Sequence, residues 1–341
     1  MTKITIITRF FAALFAAAIF GGGCAGERPV EYVRLEGFAL GTTYRMVAGF
    51  KDSTGMQKAV DSLFAAVDAS MSVFEENSLL NRVNRNETDS LDKHLIHCIE
   101  AAAAVSEISG GRYDITIRPL TRAWGFNAEE AQRQPDVDSL LQFVGYRKIR
   151  IENGRLVKEN PWIEIDLNSI AKGYTVDLLG ELLREMGSEN YLVEVGGEIV
   201  CRGTNPRGTP WTIGIDTPEE GNYTPGASLQ TILMPGDAAM ATSGDYRNFY
   251  IDGQGRKIAH TINALTGMTR GSDLLSATVV APDCTTADAY ATMLMVVGRE
   301  RAIEILESNP DIAGYLISAG ENGEYKTYVS AELEQKILKV E

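Results

Sequence analysis

Three turn signals do most to limit what this chain can fold into. Asn153-Gly154, Asp252-Gly253 and Asn322-Gly323 each separate two runs that read as strands. Such dipeptides supply the positive φ angles of tight antiparallel turns, so they predict hairpins over 146–167, 246–262 and 313–329. Residues 30–50, with Gly37, Gly41 and Gly49, predict a further strand pair, and more strands are expected at 190–202, 211–216, 229–234 and 274–281. Sheets built this way are largely antiparallel.

Helical periods alternate with these strands. Residues 55–71 place Val60, Leu63, Phe64 and Val67 on one face, and a second run over 91–109 ends at Gly110-Gly111. Residues 170–186 line up Val176, Leu179, Leu183 and Met186 before Gly187, and a last helix is expected from Thr286 to Val297, stopped by Gly298. Apolar residues three and four apart, ended by glycine, are the signature of helices with one buried stripe. With no repeat, low-complexity tract or obvious linker, the prediction is an α+β fold: mixed, largely antiparallel sheets with packed helices in a single compact domain. The 341 residues are 44 % hydrophobic, enough to fill such a core.

The N-terminus stands apart. Lys3 and Arg9 precede an unbroken apolar run from Phe10 to Phe20, then Gly21-Gly22-Gly23 and Cys24. The run is too short to span a bilayer and fits a secretory signal over 1–23. Small residues followed by Cys resemble a bacterial lipobox, although Gly21 stands where an aliphatic residue is usual. The expectation is an exported protein, anchored through a lipid on Cys24 to a bacterial membrane and facing the periplasm. Residues 24–30 would be the tether and 31–341 the functional domain. Net charge is −14, which excludes a nucleic acid partner; a phosphate-bearing ligand would need a local Lys, a helix N-terminus or a divalent metal. Cys98, Cys201 and Cys284 form no CxxC, and His94, His97 and Cys98 read as a helix rather than a zinc site.

Four stretches carry candidate chemistry. Asp288 and Thr292 lie four apart on a predicted helix, so their oxygens face one way, a hard-oxygen pair suited to Mg²⁺. Asp166 to Gly173 runs from an apolar strand through a tight turn into a helix, where carbonyls can meet a cation and Lys172 a phosphate. Thr242-Ser243-Gly244-Asp245 and the segment from His260 to Gly267 contain the only histidine of the C-terminal two-thirds, a natural proton acceptor for a hydroxyl. Gly111 to Phe126 holds Arg112, Tyr113, Asp114, Trp124 and Phe126, aromatics near glycine that can pack on a flat ring or fill a core. Neither Ser169 nor Ser243 sits in a GxSxG elbow.

Taken in order, with Leu40-Gly41-Thr42, the stretch from Met71-Ser72 to Ser78, and Val195-Gly196-Gly197, these segments resemble the FAD:protein FMN transferases, the ApbE-type flavin transferases, across nearly the whole mature chain. The resemblance implies an enzyme that binds FAD with Mg²⁺ and moves its FMN half onto a Ser or Thr hydroxyl of an acceptor protein, releasing AMP. It implies a metal site at Asp288, Thr292 and an oxygen of Ser169. It places FAD against Leu40, Phe74, Arg112, Tyr113, Asp114, Asp166 and Lys172, and makes His260 the base for the acceptor hydroxyl. Flavin-accepting subunits of membrane redox complexes are the implied partners. Some positions differ from the usual pattern: Leu40 replaces a common Met, Phe74 a frequent Tyr, Asn263-Ala264 an Asp-Pro, and Ala291 a second acid. Two further readings stay open at this point: an FAD pyrophosphatase giving FMN and AMP, and an FAD-binding lipoprotein without chemistry.

Overall fold

A computed structural model describes residues 29–126, 135–216, 218, 228–234, 237–245, 249–251, 257–269, 273–320 and 324–339. The expected signal segment, Cys24 and the turn residues Asp252-Gly253 and Asn322-Gly323 lie outside the described residues. Strands β1 (Glu31–Ala39) and β2 (Thr42–Phe50) form the antiparallel pair expected over 30–50, joined at Leu40-Gly41. Leu40 has φ 51° and Gly41 φ 73°. Glycine is at ease there and leucine is not. Packing of the Leu40 side chain against two hydrophobic clusters holds it in place.

Five helices follow: α1 (Met56–Met71), α2 (Leu79–Asn84), α3 (Lys93–Ile108), α4 (Arg118–Ala123) and α5 (Val137–Leu141). The long α1 and α3 are the periodic runs of the sequence; the others are too short to show a period. Next come β3 (Ile149–Glu152) and β4 (Arg155–Lys158), the hairpin turned by Asn153-Gly154, and then α6 (Ala171–Glu185). The region 190–202, expected as one strand, is two: β5 (Tyr191–Val195) and β6 (Glu198–Arg202), reversed at Gly196 and Gly197, both at positive φ. After them run β7 (Trp211–Asp216), β8 (Ser228–Met234), β9 (Ala238–Gly244), β10 (Phe249–Ile251), β11 (Lys257–Ala259), β12 (Ile262–Asn263), β13 (Met268–Thr269) and β14 (Leu274–Ala281). The chain finishes with α7 (Cys284–Val297), α8 (Arg299–Ser308), β15 (Ala313–Ala319), β16 (Tyr325–Val329), α9 (Ala331–Glu334) and β17 (Ile337–Lys339).

Eight strands make one sheet, in the order β1-β2-β5-β6-β9-β14-β15-β16, and every adjacent pair is antiparallel. Side chains alternate between its faces. Tyr44, Met46, Ala48, Val193, Val195 and Ala239 pack with Val176, Leu179 and Leu183 of α6 and Val60 and Phe64 of α1 on one face. Val47, Ile199, Cys201, Met240, Tyr315 and Ile317 pack with Trp211, Ile213 and Ile215 of β7 on the other. The small sheet β17-β8-β7 therefore covers the face opposite the helices. Helix α7 is buried nearly all round, from Cys284 through Met295, and each large side chain it buries, such as Leu294, stabilises the fold by roughly 1.5–3 kcal/mol.

A smaller apolar cluster joins Leu120 and Trp124 of the α4 region with Val144, Ile258, Ile262 and Ala264. Trp124 Nε1 donates to the Gly267 carbonyl at 2.8 Å, tying α4 to the turn between β12 and β13. Cys98, Cys201 and Cys284 are buried, and no disulfide joins them among the described residues. His94 Nδ1 lies 2.9 Å from the Tyr174 hydroxyl and the His97 ring stacks on the same tyrosine.

Candidate active site

Helices α6 and α7 cross at Gly173. A Cβ there would lie 2.2 Å from the Cys284 carbonyl oxygen and 2.7 Å from Asp288 Cβ, so only glycine lets the helices approach this closely. Helix α6 has no side-chain cap of its own. Instead the Gly173 N–H donates to Asp288 Oδ2 at 3.0 Å, so a carboxylate from another helix sits at the positive end of α6. Asp288 is 3 % exposed. Burial raises its pKa, against the pull of the Lys172 ammonium and the Gly173 N–H. The N-terminus of α7 is fixed in turn: Asp177 accepts from the Cys284 and Thr285 amides, each at 2.7 Å, and Asp283 accepts from Thr286.

Lys172, in the first turn of α6, does not reach into solvent as a free cation. Its Nζ is 2.5 Å from Glu198 Oε1 at the start of β6. Desolvation alone would lower the Lys172 pKa; the Glu198 and Asp288 carboxylates outweigh it, and the net shift is upward. Glu198 is 2 % exposed, and burial pushes its pKa up to about 7 against the attraction of Lys172. Its second oxygen, Oε2, is buried and has no hydrogen-bond partner among the described residues. The sequence reading did not single out Glu198, although Gly196-Gly197 just before it were among the matched stretches. A buried acid at the start of a strand has no local pattern; the only signal was an acid directly after a glycine turn.

One turn along α7, Thr292 Oγ1 shares a hydrogen bond with Ser243 Oγ of β9 at 3.1 Å. Ser169, in the turn before α6, donates from Oγ to the Tyr113 hydroxyl at 3.0 Å. The side chain of Ser169 is thus committed to Tyr113. Burial pushes the Tyr113 pKa far upward, so its phenol stays protonated.

The segments around Tyr113 and Asp166 run side by side. The Asp166 N–H donates to the Ile115 carbonyl at 2.7 Å, and Ile117 bridges Glu164. Asp114 and Asp166 are buried with raised pKa values, desolvation being the largest cause. Asp114 accepts from the Thr116 amide at 2.8 Å, the Thr116 hydroxyl at 2.7 Å and the Tyr146 amide at 2.5 Å. Asp166 accepts from the Asn168 amide at 3.0 Å and the Thr121 hydroxyl at 3.3 Å. Their carboxylates shape the loops that carry Arg112, Tyr113 and Ser169. Arg112 is exposed; its guanidinium donates to the Ser109 carbonyl, and its own carbonyl accepts from Ala264.

That last bond places the β12–β13 hairpin beside the 111–118 segment. His260, just before β12, has its Nδ1 3.9 Å from Asp245 Oδ1, and its ring meets Phe126 edge-on at 6.5 Å between centroids. Asp245 is buried and accepts from the Thr261 hydroxyl at 2.6 Å. The sequence reading picked out the Thr242 to Asp245 stretch without giving Asp245 a role. Phe74 is 69 % exposed on the loop after α1. Asn81 holds that loop by donating to the carbonyls of Val73 and Glu75, at 3.1 and 2.8 Å, while its Oδ1 accepts from Arg118.

The site-residue expectations thus fall into three linked groups. Asp288 and Lys172 lie at the crossing of α6 and α7, Thr292 one turn along α7 beside Ser243, and Ser169 in the turn before α6, bonded to Tyr113. Arg112, Asp114 and Asp166 lie on the paired segments that lead there. His260 is joined to them through the Arg112–Ala264 bond, and Phe74 through Asn81 and Arg118. Leu40 packs against the two hydrophobic clusters that α6 and α7 share. Among the described residues no three His, Cys, Asp or Glu side chains form a metal cluster. A carboxylate, a hydroxyl one turn on and a turn carbonyl are hard oxygens that suit a cation completing its shell with phosphate and water.

A sequence model described as the ApbE family matches residues 40–316. The FAD:protein FMN transferase of Vibrio cholerae is 34 % identical over 342 residues, covering 97 % of this chain and all of the relative. The FAD:protein FMN transferase of Escherichia coli K12 is 30 % identical over 96 % of this chain and 97 % of its own length. Among solved structures, the flavin transferase ApbE of Vibrio cholerae superposes with a TM-score of 0.78 at 32 % identity, covering 90 % of this chain and 100 % of that one. The ApbE protein of Thermotoga maritima gives a TM-score of 0.78 at 27 % identity, over 90 % of this chain and 99 % of that one.

Proposed function

We propose a function from one premise: the chain belongs to the ApbE family. It is an FAD:protein FMN transferase, and the finer reading is Mg²⁺-dependent transfer of FMN from FAD to a Ser or Thr hydroxyl of an acceptor protein. The acceptor oxygen bonds to the phosphorus of the FMN half. The bond from that phosphorus to the bridging oxygen breaks, AMP leaves with that oxygen, and the hydroxyl proton passes to His260. The observation that carries the reading is the α6–α7 crossing, which sets the Asp288 carboxylate, bound to the Gly173 N–H, one turn before the Thr292 hydroxyl.

Asp288, Thr292 and an oxygen of Ser169, its backbone carbonyl, are the residues that would hold Mg²⁺. When bound, the ion neutralises charge on the pyrophosphate, which an acidic chain cannot do with a basic surface. The chain's own residues do the rest. Lys172 brings an ammonium to the N-terminus of α6, where a phosphate is favoured. Tyr113 and Asp166 fix the turn that carries Ser169. Arg112, Phe74 and Leu40 line the approach for the flavin nucleotide. Asp245 lies on the Nδ1 side of His260 and would orient its ring, leaving Nε2 for the acceptor proton. The 3.9 Å separation is looser than a hydrogen bond, as is common before substrate closes a site.

The expected acceptors are flavin-bearing subunits of membrane redox complexes, and residues 1–24 would export the protein and anchor it through Cys24 outside the cytoplasm. The test is to incubate the mature protein with FAD, Mg²⁺ and an acceptor domain that a relative flavinylates, then weigh the intact acceptor. Gain of one FMN, abolished by chelation of Mg²⁺, supports the reading. An unmodified acceptor beside free FMN and AMP would make the protein a pyrophosphatase. Intact FAD would make it a binding protein.

A further inference from the structure

Three charged side chains meet on the helix-facing side of the large sheet: Lys172 from α6, Glu198 from β6 and Asp288 from α7. Two carboxylates share one ammonium, and the ammonium is on Glu198, 2.5 Å from Oε1. Asp288 keeps its Oδ2 on the Gly173 N–H and feels Lys172 only through space. Glu198 is an expensive residue to keep in such a place. It is almost fully buried, and its Oε2 has no hydrogen-bond partner among the described residues. A buried ion pair with an unsatisfied oxygen adds little to stability over an apolar pair, so stability alone does not account for it.

We infer that Glu198 is a positioning residue: it holds the Lys172 ammonium and thereby keeps the Asp288 carboxylate open to a divalent cation. A lysine ammonium on its four-carbon stem moves readily between nearby anions. Were it to settle on Asp288, it would cancel the one full negative charge that the donor set of Asp288, Thr292 and Ser169 offers. Glu198 removes that competitor while leaving the ammonium at the N-terminus of α6. The inference rests on the proposed cation site at Asp288, and the experiment separates the two.

The probe is Mn²⁺, titrated into the mature protein without FAD and followed by the electron paramagnetic resonance of the free ion. Glu198→Gln keeps the shape but releases Lys172, and is expected to weaken Mn²⁺ binding ~10-fold or more, the usual scale for a residue supporting a metal ligand. Adding Lys172→Met removes the competitor, and the double variant is expected to bind Mn²⁺ within about threefold of the Lys172→Met single variant, a coupling that independent sites would not show. Glu198→Gln binding as tightly as wild type, or a double variant as weak as Glu198→Gln alone, overturns the inference. Should Glu198→Gln fail to unfold cooperatively, the comparison moves to the Lys172→Met background. There Glu198→Gln is expected to change little, and a further loss overturns the inference. Asp288→Asn is the separate control: affinity equal to wild type would remove the cation site itself.

Discussion

The Gly173 N–H donates to Asp288 Oδ2 at 3.0 Å, joining residues 115 positions apart in the chain. One helix thereby caps the other, and the missing side chain at Gly173 is what lets them approach. Gly173→Ala would drive its Cβ into the Cys284 carbonyl and Asp288 Cβ. The expected loss is about 1–3 kcal/mol or more of stability, since backbone on a buried helix cannot move aside cheaply. Denaturant unfolding of the variant measures it. Mn²⁺ affinity should fall with it, because the displaced helix carries Asp288.

Asp288→Asn keeps the shape and an oxygen for the Gly173 N–H but removes the charge. FAD turnover is expected to fall by ~10²-fold or more, the scale for losing electrostatic stabilisation at a reacting centre, with the unfolding midpoint little changed. Release of AMP from FAD at saturating Mg²⁺ is the measurement. Turnover within a few-fold of wild type would move the metal elsewhere.

The spacing of Asp288 and Thr292 is readable in sequence because four residues make about one helical turn. So is the hairpin at Asn153-Gly154, since it depends on local backbone, whereas the role of Gly173 shows only when α7 is laid against it. Glu198 is not readable: its partner Lys172 lies on another element, and the sheet alone brings them together. Strand β9 escapes for another reason. Apart from Met240 its residues, Ala238 to Gly244, are small, and α7 lies against them, so they carry no alternation of large apolar and polar side chains. Asp245 gains meaning only when the β12–β13 hairpin folds back over Arg112 and brings His260 beside it.

His260→Ala is expected to slow FMN transfer to an acceptor by ~10²–10⁴-fold, the range for removing a general base. Asp245→Asn should cost less, because His260 keeps its proton-accepting nitrogen and loses only its orientation. Cleavage of FAD by water, assayed without acceptor, should be less sensitive to His260 than transfer is. Equal sensitivity of both reactions would place His260 on the phosphate side of the site rather than on the acceptor.

Asn81→Ala removes the donor that holds the carbonyls of Val73 and Glu75. Loss of buried hydrogen bonds of this kind costs about 1–3 kcal/mol. If Phe74 meets the flavin, KM for FAD should rise while kcat changes little. Steady-state kinetics at varied FAD separates this from a purely structural defect, which would lower the amount of folded enzyme and leave KM alone.

Asp177 links pH to stability away from the reacting centre. Its pKa is raised to about 6, mainly by burial, against the pull of the Thr285 hydroxyl and the Cys284 and Thr285 amides. A carboxyl whose folded pKa lies above its unfolded value favours folding fully below pH 3.8 and loses that contribution as pH rises through about 6. The stability difference between wild type and Asp177→Asn should therefore shift against wild type between pH 3.5 and pH 7, by on the order of 3 kcal/mol at most. Parallel denaturation curves at the two pH values test it; a shift in wild type's favour would contradict the burial-dominated assignment.

The most direct test of the central claim is the ratio of AMP released to FMN covalently held by the acceptor, measured together in one reaction with FAD and Mg²⁺. A transferase gives one AMP for each acceptor-bound FMN, and both vanish in Asp288→Asn. AMP released in large excess over acceptor-bound flavin, matched by free FMN, would contradict the account and make water the attacking group.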